Sequence, residues 1–124
     1  MDQKVIALTG GGSGIGRATA RLLALRGAKL SIADKNPLAL AQLSAEFVQH
    51  PEFLFTELDV SNVDQVDAWV RKTVKHFGRL DGAANCAGAT GKTTDYMPLT
   101  EVDDDHWHTA IAVNLTGMLH TFRH

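Results

Sequence analysis

The octapeptide Thr-Gly-Gly-Gly-Ser-Gly-Ile-Gly at residues 9–16 constrains this 124-residue chain more than any other segment. It follows a short apolar run, residues 4–9, and leads into helical apolar spacing over residues 14–26. A strand that turns through glycines into a helix has a specific physical use. Glycine lets the backbone approach a ligand closely. The free N–H groups and the dipole at the helix N-terminus attract a pyrophosphate. Spacing tests two rival loops. A Walker A loop starting at Gly11 would place its Lys-Ser/Thr pair at 17–18, where the chain has Arg17 and Ala18. Strict G-x-G-x-x-G also fails, because from Gly10, Gly12 or Gly14 its last position falls on Ile15, Arg17 or Thr19. The pattern that stands is T-G-x-x-x-G-x-G. A tight turn that uses glycine for geometry alone is the structural alternative, but so many glycines around Ser13 exceed what one turn needs.

Beyond the loop the apolar period switches repeatedly between strand and helix. In the first helix the spacing is carried by Ile15, Ala18, Leu22 and Leu25, with Gly27 as a stop. Residues 28–33 read as a second strand, 37–48 as a helix opened by Pro37, and 53–56 as a third strand. Ser61 is expected to cap the next helix, with a stripe of Val63, Val66, Val70, Val74 and Phe77 that ends at Gly78. Residues 80–85 give a fourth strand and 86–99 a Gly/Thr-rich loop. Thr100 is expected to cap a last helix on which Trp107, Ile111, Asn114 and Met118 share an inward face.

This alternation predicts an α/β chain built on a Rossmann-type doubly wound parallel sheet. The expected sheet has four strands in the order 3-2-1-4, with helices on both faces. The helical spacing runs up to His124, and the fourth strand has no outer neighbour. Residues 1–124 are therefore read as the N-terminal portion of a larger dinucleotide-binding domain, an incomplete sheet cut within a helix.

Composition narrows the partners. Apolar residues make up 44% and charged residues 21%, as in an ordinary soluble domain. A formal net charge of −2 leaves no basic footprint for nucleic acid or an anionic membrane. No apolar run reaches the ~18 residues of a membrane span, and the N-terminus does not open a signal peptide. The expected setting is cytoplasmic. Cys86, the only cysteine, excludes an internal disulfide and a cysteine-based metal cluster, and is read as a small buried filler. His120 and His124 share a helix face without a third ligand, so they read as a solvated face and no metal is expected. Asp103, Asp104 and Asp105 read as charge that complements a helix start.

The glycine loop resembles the T-G-x-x-x-G-I-G motif of the short-chain dehydrogenase/reductase family. Four further elements follow in that family's order. Asp34 ends the second strand, and Asp59-Val60 follows the third. Asn85-Cys86-Ala87-Gly88 resembles N-N-A-G, and Val113-Asn114-Leu115-Thr116-Gly117 resembles V-N-L-T-G. The resemblance covers the whole chain. It implies an NAD(P)-dependent oxidoreductase that moves hydride between nicotinamide and the alcohol or carbonyl carbon of a small molecule. It also implies a homo-oligomer in the complete protein.

The implied cofactor contacts are Gly10, Ser13, Gly14, Ile15 and Gly16 at the pyrophosphate, and Asp34 at the adenosine ribose. Asp59 and Val60 fall at the adenine, and Asn85, Ala87 and Gly88 at the nicotinamide-side ribose. Asp34 lies 18 residues after Gly16, where a carboxylate accepts from ribose hydroxyls and repels a 2′-phosphate. Ser13 stands where NADP-preferring members carry a base. Both favour NAD over NADP, while Lys35 is a counter-signal. Asp59 has a local alternative as an acid supporting the helix near Ser61. Residues 85–88 have one as a brace for the first strand. Asn114 resembles the asparagine of a catalytic Asn-Ser-Tyr-Lys set, in which it positions a water of the proton relay. Its alternative is a core asparagine that ties its helix to a neighbouring strand.

The same resemblance implies a serine, a tyrosine and a lysine four residues after the tyrosine. Tyr96 is the only tyrosine; it precedes Asn114, and Thr100 stands at the lysine's place. Without that lysine, a tyrosine with a pKa near ~10 is a poor acid–base group at neutral pH. Tyr96 is read as a loop residue at the substrate mouth. The catalytic Ser, Tyr and Lys are expected beyond residue 124, so this chain supplies the cofactor-binding half and lacks turnover alone. The alternative is a truncated, non-catalytic dinucleotide-binding or subunit-interaction module.

Overall fold

Strand β1 (Val5–Thr9) is buried along its whole length, as a continuous apolar run inside a parallel sheet must be. In the computed structural model, which describes residues 1–90 and 98–123, β1 lies between two partners. On one side is β2 (Lys29–Asp34) and on the other β4 (Gly82–Asn85). Strand β3 (Leu54–Glu57) adds to the outer side of β2. The order is β3-β2-β1-β4 and every pair is parallel, as the alternation of elements predicts.

Alternate strand residues feed two cores. Ile6, Leu8, Leu30 and Ile32 pack against Ala20 and Ala24 of α1 (Gly14–Leu25) and Leu40 and Leu43 of α2 (Pro37–Glu46). Ala7 and Ala33 face the other way, against Val66, Trp69 and Val70 of α3 (Val63–Phe77). On that side a strand serine is fully buried and fully partnered. The Trp69 indole donates to Ser31 Oγ at 2.8 Å, and the Ser31 and Thr73 hydroxyls lie 2.7 Å apart. Such a satisfied pair fixes how α3 seats on the sheet.

The structure overturns several local expectations. In α1 the buried residues are Gly16, Ala20 and Ala24, while Ile15 and Leu25 are 80% and 85% exposed. Small side chains let the helix lie close to the sheet, so the bulky stripe turns outward. Ser61 does not cap α3. Its hydroxyl donates instead to Asp59 Oδ1 at 2.6 Å, and Asn62 takes the cap by accepting from the Gln65 N–H at 3.2 Å. Thr100 lies in a 3-10 turn, Leu99–Glu101. The cap of α4 (Asp104–Ile111) is Asp103, which accepts from the His106 N–H at 2.7 Å.

The last helical run is not a single α-helix. A π-helical segment, Ala112–Thr116, separates α4 from α5 (Gly117–Phe122). A wide turn rotates everything after it relative to a regular 3.6-residue period. The buried face of α5 consists of Gly117, His120 and Thr121, while Trp107, before the π-helical segment, and Met118, after it, are both exposed. His120 is buried, against the expectation of a solvated histidine face. Tyr96 and His124 lie outside the described residues. Among the described residues no helix is long and apolar enough to cross a membrane.

Candidate functional site

Because all four strands are parallel, their C-terminal ends meet at one edge of the sheet. The connections after the neighbouring strands β1 and β4 leave to opposite faces, and a crevice opens where they part. That crevice is a groove of about 510 Å³. Gly10, Ser13, Gly14, Ile15 and Gly16 line it on the α1 side. Asp34, Asp59 and Val60 line it beyond β2 and β3, and Ala87 and Gly88 beyond β4. Asn85 and Asn114 do not line the groove; both sit directly behind its wall.

The loop after β1 is compressed against its neighbours. Gly10 has φ +65°, and a Cβ there would lie 2.5 Å from the Ala87 nitrogen. A Cβ on Gly16 would strike the Gly10 carbonyl. Only glycine at both positions allows the first turn of α1 to fold back onto the end of β1. The loop is also tied to β2. The Gly11 N–H donates to the Ala33 carbonyl at 3.1 Å, and the Gly12 N–H donates to Asp34 Oδ2 at 2.8 Å. Asp34 Oδ1 accepts from the Asn36 N–H at 2.9 Å. Asp34 is thus held in place by backbone donors on both oxygens, each of which keeps a further lone pair.

The start of α1 is the one among the described α-helices of eight residues or more without a side-chain cap. Asn36, Asn62 and Asp103 cap α2, α3 and α4. Ser13, at the cap of α1, is extended and makes no such bond, and the first turn holds no acidic residue. Its leading N–H groups and positive dipole end face the groove without a side-chain acceptor, an arrangement suited to an anion.

At the β3 end, Asp59 Oδ1 accepts from the backbone and hydroxyl of Ser61, and Oδ2 accepts from Lys35 Nζ at 2.7 Å. Partial burial pushes the Asp59 carboxyl up, but the Lys35 ammonium and the Ser61 donors outweigh it. The carboxyl is held below its usual range and ionised.

At the β4 end, Thr9 organises the turn. Its hydroxyl bonds to Asn85 Oδ1, its carbonyl accepts from the Cys86 N–H at 3.1 Å, and its Oγ1 accepts from the Ala87 N–H at 3.4 Å. Asn85 therefore braces β1 against β4. Asn114 is exposed rather than inward, yet both ends of its amide are engaged. Nδ2 donates to the Ala89 carbonyl at 2.6 Å, and Oδ1 accepts from the Ala89 N–H at 3.1 Å.

Sequence reasoning missed two lining residues. Ala33 and Leu58 line the groove from strand ends, while Val113, the first residue of the V-N-L-T-G-like motif, and Ala89, at the start of the segment read as bordering the site, line it behind Gly88. Position was the only signal for Ala33 and Leu58, which immediately precede Asp34 and Asp59. Cys86 packs against the core as a filler should, but it is only half-buried and also lines the groove.

Known proteins place this geometry. The chain is 46% identical over 122 residues to the short-chain dehydrogenase/reductase ABA4 of Pyricularia oryzae, covering 97% of this chain and 45% of that protein. The crystal structure of levodione reductase superposes with a TM-score of 0.88 at 36% identity, over 99% of this chain and 48% of the reductase. A 3-ketoacyl-(acyl-carrier-protein) reductase from Brucella melitensis, complexed with NADH, superposes with a TM-score of 0.89 at 29% identity, over 98% and 48% of the two chains. The chain thus spans about half the length of the relatives it matches. The sequence pattern of the short chain dehydrogenases matches residues 4–124, and the chain belongs to that family.

Proposed function

We propose that this chain is the cofactor-binding half of an NAD-dependent oxidoreductase acting on an alcohol or carbonyl group of a small molecule. The observation that carries the reading is the open start of α1, faced by Asp34 across the glycine loop. Nicotinamide dinucleotide, when bound, supplies or accepts the hydride; the residues of this chain hold and orient it. Gly10, Ser13, Gly14, Ile15 and Gly16 receive the pyrophosphate on backbone N–H groups. Asp34 accepts from the adenosine ribose hydroxyls on its spare lone pairs and opposes a 2′-phosphate by charge.

Asp59 and Val60 form the adenine wall. Ala87 and Gly88 form the wall at the nicotinamide-side ribose, with Asn85 as its brace through Thr9. Asn114 holds the backbone of Ala89 behind that wall. By family likeness it also positions a water of the proton relay, with the serine, tyrosine and lysine of the reaction supplied by further chain. A homo-oligomer in the cytoplasm completes the reading.

A fluorescence titration of the full-length protein tests it. NADH should bind at least tenfold more tightly than NADPH, a difference of about 1.4 kcal/mol. Tighter binding of NADPH would overturn the role of Asp34, and no binding of either would overturn the reading as a whole.

A further inference from the structure

Val60 lines the groove at the proposed adenine wall, three residues past the end of β3, where no strand pairing holds it. Its carbonyl is held from another quarter. His120 of α5 places Nδ1 at 3.0 Å from that oxygen. A carbonyl only accepts, so the contact requires the proton on Nδ1. The residue is 9% exposed. One turn earlier, a Cβ on Gly117 would lie 2.6 Å from Val60 Cγ2, so the helix backbone presses directly onto residue 60. One turn earlier again, Asn114 grips Ala89 at the other wall. A single helical run thus bonds to both sides of the groove.

Resting on the cofactor reading above, we propose that His120 is a positioning residue that sets the adenine wall of the groove through its hydrogen bond to the Val60 carbonyl. An apolar side chain of similar size would seat α5 on the sheet equally well, but it would leave that carbonyl unpaired and the wall unregistered. The donor is what the site needs, and it must stand at the Nδ1 position. Asparagine presents an amide N–H there. Glutamine presents its amide one bond further out, near the place of Nε2.

The test compares His120→Leu and His120→Asn in the full-length protein, with AMP and NADH as probes and thermal unfolding as a control. The leucine variant should bind AMP and NADH roughly tenfold more weakly, the loss expected of one buried hydrogen bond. The asparagine variant should return both affinities to within about twofold of the unsubstituted protein. If the leucine variant does not fold, His120→Gln takes its place with the same expected loss. The proposal is overturned if leucine or glutamine leaves AMP binding unchanged, or if asparagine binds AMP as weakly as they do. Failure of the unsubstituted protein to bind NADH would overturn the cofactor reading as well.

Discussion

Helices α1 and α2 begin in the same setting, each just after a parallel strand at the same edge of the sheet, and their first turns are built in opposite ways. At α2 the chain satisfies itself. Asn36 Oδ1 accepts from the Leu38 and Ala39 N–H groups at 3.0 and 3.2 Å, and Pro37 removes a third donor. At α1 the cap serine makes no such bond, and glycines bring the bare backbone to the groove. A helix start at the end of a strand is therefore not in itself an anion site. It becomes one where the sequence withholds an internal acceptor and keeps the backbone uncovered.

The contrast breaks most severely at Gly16. A Cβ there meets the Gly10 carbonyl, which belongs to backbone and has no rotamer to yield. Gly16→Val should reduce NADH affinity by more than roughly a hundredfold and cost about 1–3 kcal/mol of stability, the range for overpacking. Calorimetric binding and urea unfolding read the two effects. Retained NADH affinity would mean that the α1 start does not hold the cofactor.

Asp34→Asn probes the other half of the same site. The amide keeps the shape but can accept from only one of the two backbone donors, at Gly12 and Asn36, while its NH2 faces the other. NADH should weaken by roughly tenfold, about one charged hydrogen bond. NADPH should weaken less or gain, because the repulsion is removed. An unchanged ratio of the two dissociation constants would confine Asp34 to bracing the loop.

Asn36→Ala sharpens the comparison from the self-satisfied side. Loss of the cap should cost about 1 kcal/mol of unfolding free energy. The affinity for NADH should stay within about twofold, since the first turn of α2 does not line the groove. A large loss of affinity would mean that the two helix starts are coupled through Asp34 and Asn36.

The sheet order and the groove-lining motifs were legible because they rest on period and on glycine spacing. A buried parallel strand must read as an apolar run, and the loop at Gly10 and Gly16 admits nothing larger. What escaped was set by contacts between distant segments. The stripe Ile15, Leu22 and Leu25 has perfect helical spacing, yet it faces outward because Gly16, Ala20 and Ala24 allow a closer approach to the sheet. Ser61 has a good cap composition, but Asp59 takes its hydroxyl. The stripe Trp107, Ile111, Asn114 and Met118 also has helical spacing, yet Trp107 is exposed already before the π-helical turn at Ala112–Thr116, and the neighbouring positions Val113, Gly117, His120 and Thr121 turn inward instead. Asn114 nonetheless reaches the groove wall, where its amide bonds to both backbone polar groups of Ala89.

The smallest expected effect concerns a carboxylate that, like Asp34, accepts from a backbone N–H, but at the opposite end of the sheet. Asp81 accepts from the Val5 N–H at 2.9 Å, from Arg79, and from Lys4 at 3.3 Å. The Arg79 guanidinium first, then the Val5 N–H and the Lys4 ammonium, lower its pKa to about 2. An unfolded aspartate titrates near ~3.9, so the folded state favours the ionised form. The stabilisation is therefore complete above about pH 4 and is lost as the pH falls towards about 2. Surface screening keeps it modest. In thermal unfolding, Asp81→Asn should melt below the unsubstituted protein by a constant margin above about pH 5, with the gap closing between about pH 4 and pH 2. NADH affinity at neutral pH should not change, because Asp81 ties β4 to β1 at the end remote from the groove. A margin that persists undiminished at about pH 2 would mean that the carboxylate acts through shape rather than charge. A fall in NADH affinity would mean that the two ends of β1 are not independent.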